Sequence, residues 1–329
     1  MARQEGQKAK LLVLKSILER KTDEEHTLSV PQILEALERE GIKAERKSVY
    51  TDIEALRQSG VEVELNRGRG GGYYLAGRTF ELPELKLLVD AVQSSQFITE
   101  KKSHELIKKL ESFASEAQAR QMQRQVFVSG RAKTMNESIY YIVDALHAAI
   151  AGDRQVTFQY MEWTLGKRKA AKHGGELYRV SPWALAWENA NYYLVAHTPK
   201  GIRHYRVDKM KGVVVTDQPR QGKDEFRALD LAAYTRKMFG MYGGQEEKVT
   251  LKCANRLVGV MLDRFGTGAI LVPQPDDTFH LTVPVAVSPQ FLGWVCGFGA
   301  DVKVVGPENV RREMAALAAA LAGLYPGQE

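Results

Sequence analysis

Residues 180–197 read VSPWALAWENANYYLVAH. A serine precedes a proline, two tryptophans follow, Glu188-Asn189-Ala190-Asn191 has the composition of a turn, and two tyrosines lead into an apolar run. Period-two alternation puts Tyr193, Val195 and His197 on one side of a strand and Tyr192, Leu194 and Ala196 on the other. Working outward, RQVTFQYMEW (154–163), ELYRVSPWALAWE (176–188) and GIRHYRVDKMKGVVV (201–215) carry the same period and are separated by polar turns. Some five strands in about 65 residues predict a small, strongly bent sheet of SH3-like or Sm-like type. In the last of them His204 and Arg206 share a side, with Arg203 and Tyr205 opposite. Arg179 and Ser181 share a side as well. Charged and hydroxyl groups on an inward face need partners, so they either face solvent or converge on an anion.

Charge supports the second alternative. The chain has 329 residues and a net charge of +6, from 46 Lys and Arg against 40 Asp and Glu. Residues 151–216 hold 11 basic and 5 acidic residues, whereas residues 1–78 hold 14 and 13. The excess lies around the opening stretch, where it favours an anionic partner. Part of it, Lys167, Arg168, Lys169 and Lys172, clusters in one polar turn and reads as a solvated loop. The length suits two or three domains. No apolar run approaches the ~18 residues of a membrane span, and the charged N-terminus lacks the apolar core of a secretory signal. Cys253 and Cys296 stand in apolar surroundings, and no CxxC or HExxH occurs. Two core thiols in a reducing cytoplasm are expected, with no metal site and no cofactor.

The N-terminal region reads as three helices and a hairpin. KAKLLVLKSILER (8–20) places Leu11, Leu14, Ile17 and Leu18 on one stripe. In LSVPQILEALERE (28–40), Ser29 is a cap, Pro31 sits in the first turn and Gly41 ends the helix. In ERKSVYTDIEALRQSG (45–60), Val49, Ile53 and Leu56 form the buried face and leave Arg46, Lys47, Ser48, Tyr50 and Thr51 on the other. Those are donors and an aromatic near a helix N-terminus, the end that enters a major groove in helix-turn-helix proteins. VEVEL and YYL then read as strands around NRGRGGG, with Arg67 and Arg69 at the tip, suited to phosphate or minor-groove contact. The glycines are not a nucleotide loop, since no GK[ST] follows.

Residues 82–99 and 101–117 carry helical spacing, 118–136 reads as a polar linker, and 136–152 is a further helix with Asn136 as its cap. His104 and His147 read as ordinary surface or core histidines. The last third reads strand (248–254), helix (255–266), hairpin (269–274 with 278–287), helix (288–299) capped by Ser288, strand (301–307) and an alanine-rich helix. That βαββαβ order with a final helix is ferredoxin-like. Arg264, Arg311 and Arg312 read as surface charges.

KSVYTDIEALRQSGVEVELNRGRGGGYYL resembles the winged helix of DeoR-type and related bacterial transcription regulators, which carry an Arg-Thr-Ile-x-Arg-Asp-Leu recognition helix and a Gly-Gly-Tyr wing. Lys47 stands for the first arginine of that pattern and Thr51 for the second. VSPWALAWENANYYLVAH…HYRVDKMKGV resembles the WYL domain, with Tyr192-Tyr193-Leu194 where that family has Trp-Tyr-Leu and Lys209 where it has a second arginine, which keeps the charge but not the bidentate geometry. FLGWVCGFGADVKVVGPENVRREM is similar to the C-terminal extension of such regulators. The resemblance implies an α+β multidomain chain: a winged helix-turn-helix at 1–78, a helical linker and dimerisation region at 79–152, a WYL ligand-sensing barrel at 153–218 and a ferredoxin-like extension at 219–329.

It further implies a homodimeric, ligand-responsive regulator, a repressor by default, that binds double-stranded operator DNA. Its WYL domain would sense an anionic nucleotide or oligonucleotide. Regulators of this kind serve phage defence in some cases and DNA-damage responses in others. Carried over by position, the ligand residues are Ser181, Tyr193, Arg206 and Lys209, joined by His204 from the alternation. Two other classes stand beside this one. The barrel would grip single strands without sensing, or the chain would be an enzyme acting on nucleotides. Against the enzyme, the sequence has no GxSxG, no P-loop and no paired carboxylates at metal spacing.

Overall fold

The computed structural model describes residues 2–68, 70–122, 133–134, 136–227 and 230–325. The chain is a multidomain mixture of helices and sheets in two compact units, Met1–Glu137 and Ser138–Glu329. In the first unit, α1 (Ala2–Lys21), α2 (Val30–Arg39) and α3 (Arg46–Gln58) precede a hairpin of β1 (Val63–Leu65) and β2 (Tyr73–Leu75). Leu14, Ile17 and Leu18 of α1 meet Ile33 and Leu37 of α2 and Val49, Ile53 and Leu56 of α3, with Val63 and Leu75 closing the core. Each helix thus buries the stripe that its 3.6-residue period marks. The hairpin pairs Val63 with Leu75 and Leu65 with Tyr73. Leu28 adds an antiparallel bridge to Tyr73. The adjoining Gly72 runs so close to that segment that a Cβ would lie 2.4 Å from the Leu28 carbonyl.

The same unit continues with α4 (Leu82–Ser94), α5 (Glu100–Glu111) and α6 (Glu116–Met122). Leu85, Val89, Ala114 and Met122 form their small core. A polar knot ties these helices to the first three. The Arg78 guanidinium donates to the carbonyls of Glu19 at 2.9 Å, Thr22 at 2.5 Å and Phe113 at 3.1 Å. The Ser115 hydroxyl donates to the Asp23 carboxylate, and Thr22 Oγ1 accepts from the Leu75 amide at 3.0 Å. The Asp23 carboxyl is held below its ordinary range. Burial opposes this, and the bonds from Ser115 and His26 outweigh it. Residues 118–122, expected to belong to a linker, are helical because Ala119 and Met122 bury against α4 and α5. Most of the remainder of that stretch, 123–132, lies outside the described residues.

The second unit opens with α7 (Ile139–Ala151), whose N-cap position falls at Ser138 rather than at the expected Asn136. It packs Ile139, Ile142, Leu146 and Ala149 onto the following sheet. That sheet comprises β3 (Arg154–Trp163), β4 (Lys169–Ala171), β5 (Leu177–Glu188), β6 (Asn191–Thr198), β7 (Gly201–Arg206) and β8 (Met210–Pro219). Its order is β4-β3-β5-β6-β7, and β8 returns to pair with β3. Phe158, Val180, Leu194 and Val207 are fully or almost fully buried. Short helices α8 (Lys223–Arg227) and α9 (Leu231–Arg236) lead into a loop at 237–244. Then come β9 (Gln245–Ala254), α10 (Val258–Phe265), β10 (Leu271–Gln274), β11 (Thr278–Val287), α11 (Pro289–Cys296), β12 (Val302–Gly306) and α12 (Glu308–Leu324). The second sheet has the antiparallel order β10-β11-β9-β12. Met261, Phe291, Val295 and Val310 bury its inner face. Ser288 caps α11, accepting from the Phe291 amide at 3.3 Å. Among the described residues no helix is long and apolar enough to cross a membrane.

Candidate functional site

A cavity of about 880 Å³ opens within the second unit. Its first wall comes from the opening stretch and its neighbour strand. Asn189 and Ala190 take φ values of 48° and 58°. This is the left-handed pair of a tight hairpin turn, and it lets β5 return directly as β6. The register then sets Tyr193 opposite Arg206 and Val195 opposite His204. Tyr160, Asn189, Asn191 and Tyr193 line the cavity beside Arg203, His204, Arg206 and Lys209.

The second wall is the loop at 237–244, KMFGMYGG. Phe239 and Tyr242 form a bridge across Gly240 and Met241, whose φ values are 61° and 60°. Methionine rarely adopts that conformation, and it persists only where neighbours hold it. The holding groups are visible. The Lys237 carbonyl accepts from the Ala286 amide at 2.8 Å. Arg264 of α10 donates to the Met238 carbonyl and lays its guanidinium 4.1 Å from the Phe239 ring centre. Gly244 passes so near β11 that a Cβ would sit 1.8 Å from the Val287 oxygen. Arg264, read from sequence as a surface charge, is therefore a half-buried clamp. Its pKa falls below the ordinary arginine value through burial.

The cavity's charges divide into committed and free groups. Arg206 faces Asp208 through Nε at 3.0 Å and Nη2 at 2.9 Å, and Nη2 also donates to Asn191 Oδ1 at 2.9 Å. The hydrogen bond to Asp208 raises the Arg206 pKa above its ordinary value, against the opposing effect of burial. Lys237 pairs with Glu246 at 2.7 Å. Arg203 and Lys209 line the same space with no ion-pair or hydrogen-bond partner among the described residues. The Tyr160 hydroxyl accepts from the Arg206 amide at 3.1 Å, and burial pushes its pKa up to about 12. Burial also raises Tyr193. Both remain neutral phenols that donate hydrogen bonds. His204 is drawn down to about 4 by burial, so its imidazole is uncharged at neutral pH; its ring lies 5.6 Å from that of Tyr234.

The structure thus brings Tyr193, His204, Arg206 and Lys209 to one cavity. Ser181 does not line it. Its side chain is buried and its Oγ accepts from the Gln221 amide at 2.9 Å, closing the path from β8 onto β5. Arg203, expected on the face opposite Arg206, also borders the cavity, because its long side chain leaves an exposed position on β7. Sequence reading missed Tyr234, Lys237, Met241 and Tyr242. The signal was the run FGMYGG, with its aromatics and glycines between two domains.

In the first unit, Arg46, Lys47, Tyr50 and Thr51 are exposed on α3, and Arg67 is exposed beyond β1. Arg46 Nε donates to the Tyr50 hydroxyl at 3.3 Å, and Thr51 Oγ1 donates to the Lys47 carbonyl at 3.3 Å. Ser48 is turned inward, accepting from Lys10 Nζ at 3.1 Å while Lys10 also pairs with Asp52 at 2.7 Å. Arg69 lies outside the described residues. Among the described residues no group of three or more His, Cys, Asp or Glu is placed to hold a metal ion.

Residues 141–215 match the WYL domain, and residues 245–322 match the WCX domain. The cavity accordingly draws on a WYL domain and on the segment leading into a WCX domain, and the chain is a WYL-domain protein. It is 21% identical over 284 residues to the uncharacterized HTH-type transcriptional regulator YobV of Bacillus subtilis (strain 168), covering 80% of this chain and 85% of that one. Its two matched domains and this relative together support a WYL-domain transcriptional regulator. Among solved structures it aligns with the proteasome accessory factor B/C (PafBC) of Arthrobacter aurescens at 17% identity and a TM-score of 0.29. That alignment covers 97% of this chain, which spans about half (49%) of the other. A CRISPR Cas-related protein aligns at 12% identity and a TM-score of 0.37, covering 96% of this chain and 85% of that one.

Proposed function

We propose that the protein is a ligand-responsive transcription regulator, a homodimeric repressor whose WYL domain senses a phosphate-bearing anion such as a nucleotide or nucleic-acid fragment. The carrying observation is the cavity in which Arg203 and Lys209 have no partner among the described residues and lie beside Arg206, Tyr193 and Tyr160. Unpaired cations and phenol donors around one space suit phosphate oxygens. On this reading the first three helices and the hairpin act as a winged helix, with α3 entering the major groove. Arg46, Lys47, Tyr50, Thr51 and Arg67 then contact DNA, and Ser48 orients Lys10 behind them. The strands β3–β8 serve as an Sm-like barrel and the last sheet as a ferredoxin-like extension. A ligand switches such a protein only by binding its two arrangements with different free energies.

The test is fluorescence anisotropy of the full chain on the DNA upstream of its own gene, with and without short oligonucleotides or nucleotides. A regulator shows a shifted DNA affinity that saturates with ligand. Arg206→Ala removes the shift and leaves ligand-free DNA affinity within about twofold. Equal loss of DNA affinity in both conditions rejects sensing. Simple competition between oligonucleotide and operator marks a passive binder.

A further inference from the structure

The cavity's most exposed large ring belongs to Tyr242, which keeps 56% of its surface open while Met238 and Met241 beside it are buried. It sits on the turn in which Met241 is held at positive φ, and two glycines, Gly243 and Gly244, follow it and add no side chain of their own. A Cβ added at Gly240 would lie 3.6 Å from Cδ2 of this ring. Four fixed points keep this turn in place: the bridge to Phe239, the bond to Ala286, the Arg264 clamp and the Gly244 passage against Val287. An exposed aromatic presented by a constrained, firmly anchored turn is preorganised for contact, because little ordering entropy remains to be lost on binding. Arg203 and Lys209, without a partner among the described residues, line the same cavity.

We propose that Tyr242 is the platform on which a planar heteroaromatic ring of the ligand stacks, while the ligand's phosphates reach Arg203 and Lys209. The cavity then selects a nucleotide over a bare polyphosphate, and the selecting residue belongs to the segment leading into the WCX domain rather than to the barrel. This rests on the anion-sensing reading above and goes beyond it by assigning the ring-binding group. Stacking suits the position because every nucleobase offers a π face, and a tyrosine ring brings area at low conformational cost.

The probes are adenosine triphosphate and inorganic tripolyphosphate, titrated calorimetrically into the full chain. Tyr242→Ala is expected to weaken adenosine triphosphate about tenfold, a typical loss for one stacked base, and to leave tripolyphosphate within twofold. Tyr242→Phe retains both affinities. Arg203→Ala weakens both probes, and circular dichroism checks the fold of each variant. Three results overturn the proposal: an unchanged nucleotide affinity in Tyr242→Ala, an equal loss for both probes, or a wild type that binds tripolyphosphate as tightly as the nucleotide. All three leave anion sensing intact. Binding of neither probe by the wild type rejects both readings together.

Discussion

Arg206 and Asp208, two residues apart in sequence, close a two-pronged ion pair through Nε at 3.0 Å and Nη2 at 2.9 Å. The carboxylate occupies the face of the guanidinium that would otherwise grip phosphate. An incoming anion therefore meets Arg203 and Lys209 as free charges and Arg206 as a partly neutralised one. Asp208→Asn removes the internal competitor while Asn191 still holds Nη2. The variant is expected to bind inorganic pyrophosphate several-fold more tightly and with a steeper salt dependence. Calorimetry at two ionic strengths measures both; weaker binding would show that Asp208 positions the arginine instead of competing for it.

Arg264 is a charged donor placed between a buried carbonyl and an aromatic face. Arg264→Ala leaves the Met238 carbonyl without this partner and is expected to cost ~2 kcal/mol of stability. Urea unfolding followed by tryptophan emission reads the loss. A midpoint equal to that of the wild type contradicts the clamp.

His204 gives a pH signature. Its folded pKa is depressed to about 4, from an ordinary 6.5. Between those values the unfolded chain binds more protons than the folded one, so stability rises with pH. The contribution is fully present above pH 6.5 and is lost as pH falls toward 4. At most it amounts to about 3 kcal/mol. His204→Asn is expected to flatten the difference between urea midpoints at pH 7.5 and pH 5. Identical slopes in both proteins would place the titration elsewhere.

On α3, Lys47 is exposed near the helix N-terminus. If it meets a phosphate, Lys47→Ala lowers affinity for all DNA sequences alike and reduces the slope of log affinity against log salt by about one. Sequence-dependent loss would instead assign it to a base edge.

The repeating parts of this chain were legible because burial imposes a period. Val49, Ile53 and Leu56 marked α3, and strand alternation placed His204 on the side of Arg206, whereas Tyr193 and Arg206 themselves came from the resemblance to the WYL pattern. Ser288 and Pro289 announced α11 through capping chemistry. Ser181 misled because a hydroxyl next to proline looks the same whether it awaits a ligand or a backbone amide; only the return of Gln221 decides it. The wall at 237–244 has no period to read. Its residues are fixed by contacts with Ala286, Val287 and Arg264, more than 20 positions away, and such pairings leave no mark in local composition. Arg203 shows the complementary limit, since a long side chain at a strand edge escapes the face that alternation assigns to it.

The knot around Arg78 and Asp23 has a mechanical meaning. It grips the end of α1, the turn after it and the segment following α5, and so fastens α1 to the later helices. A twist applied to those later helices is felt first by α1, whose Leu14, Ile17 and Leu18 share a core with Val49, Ile53 and Leu56 of α3. Within this unit, the exposed face of α3 is thus carried on a shared core and not on an isolated helix.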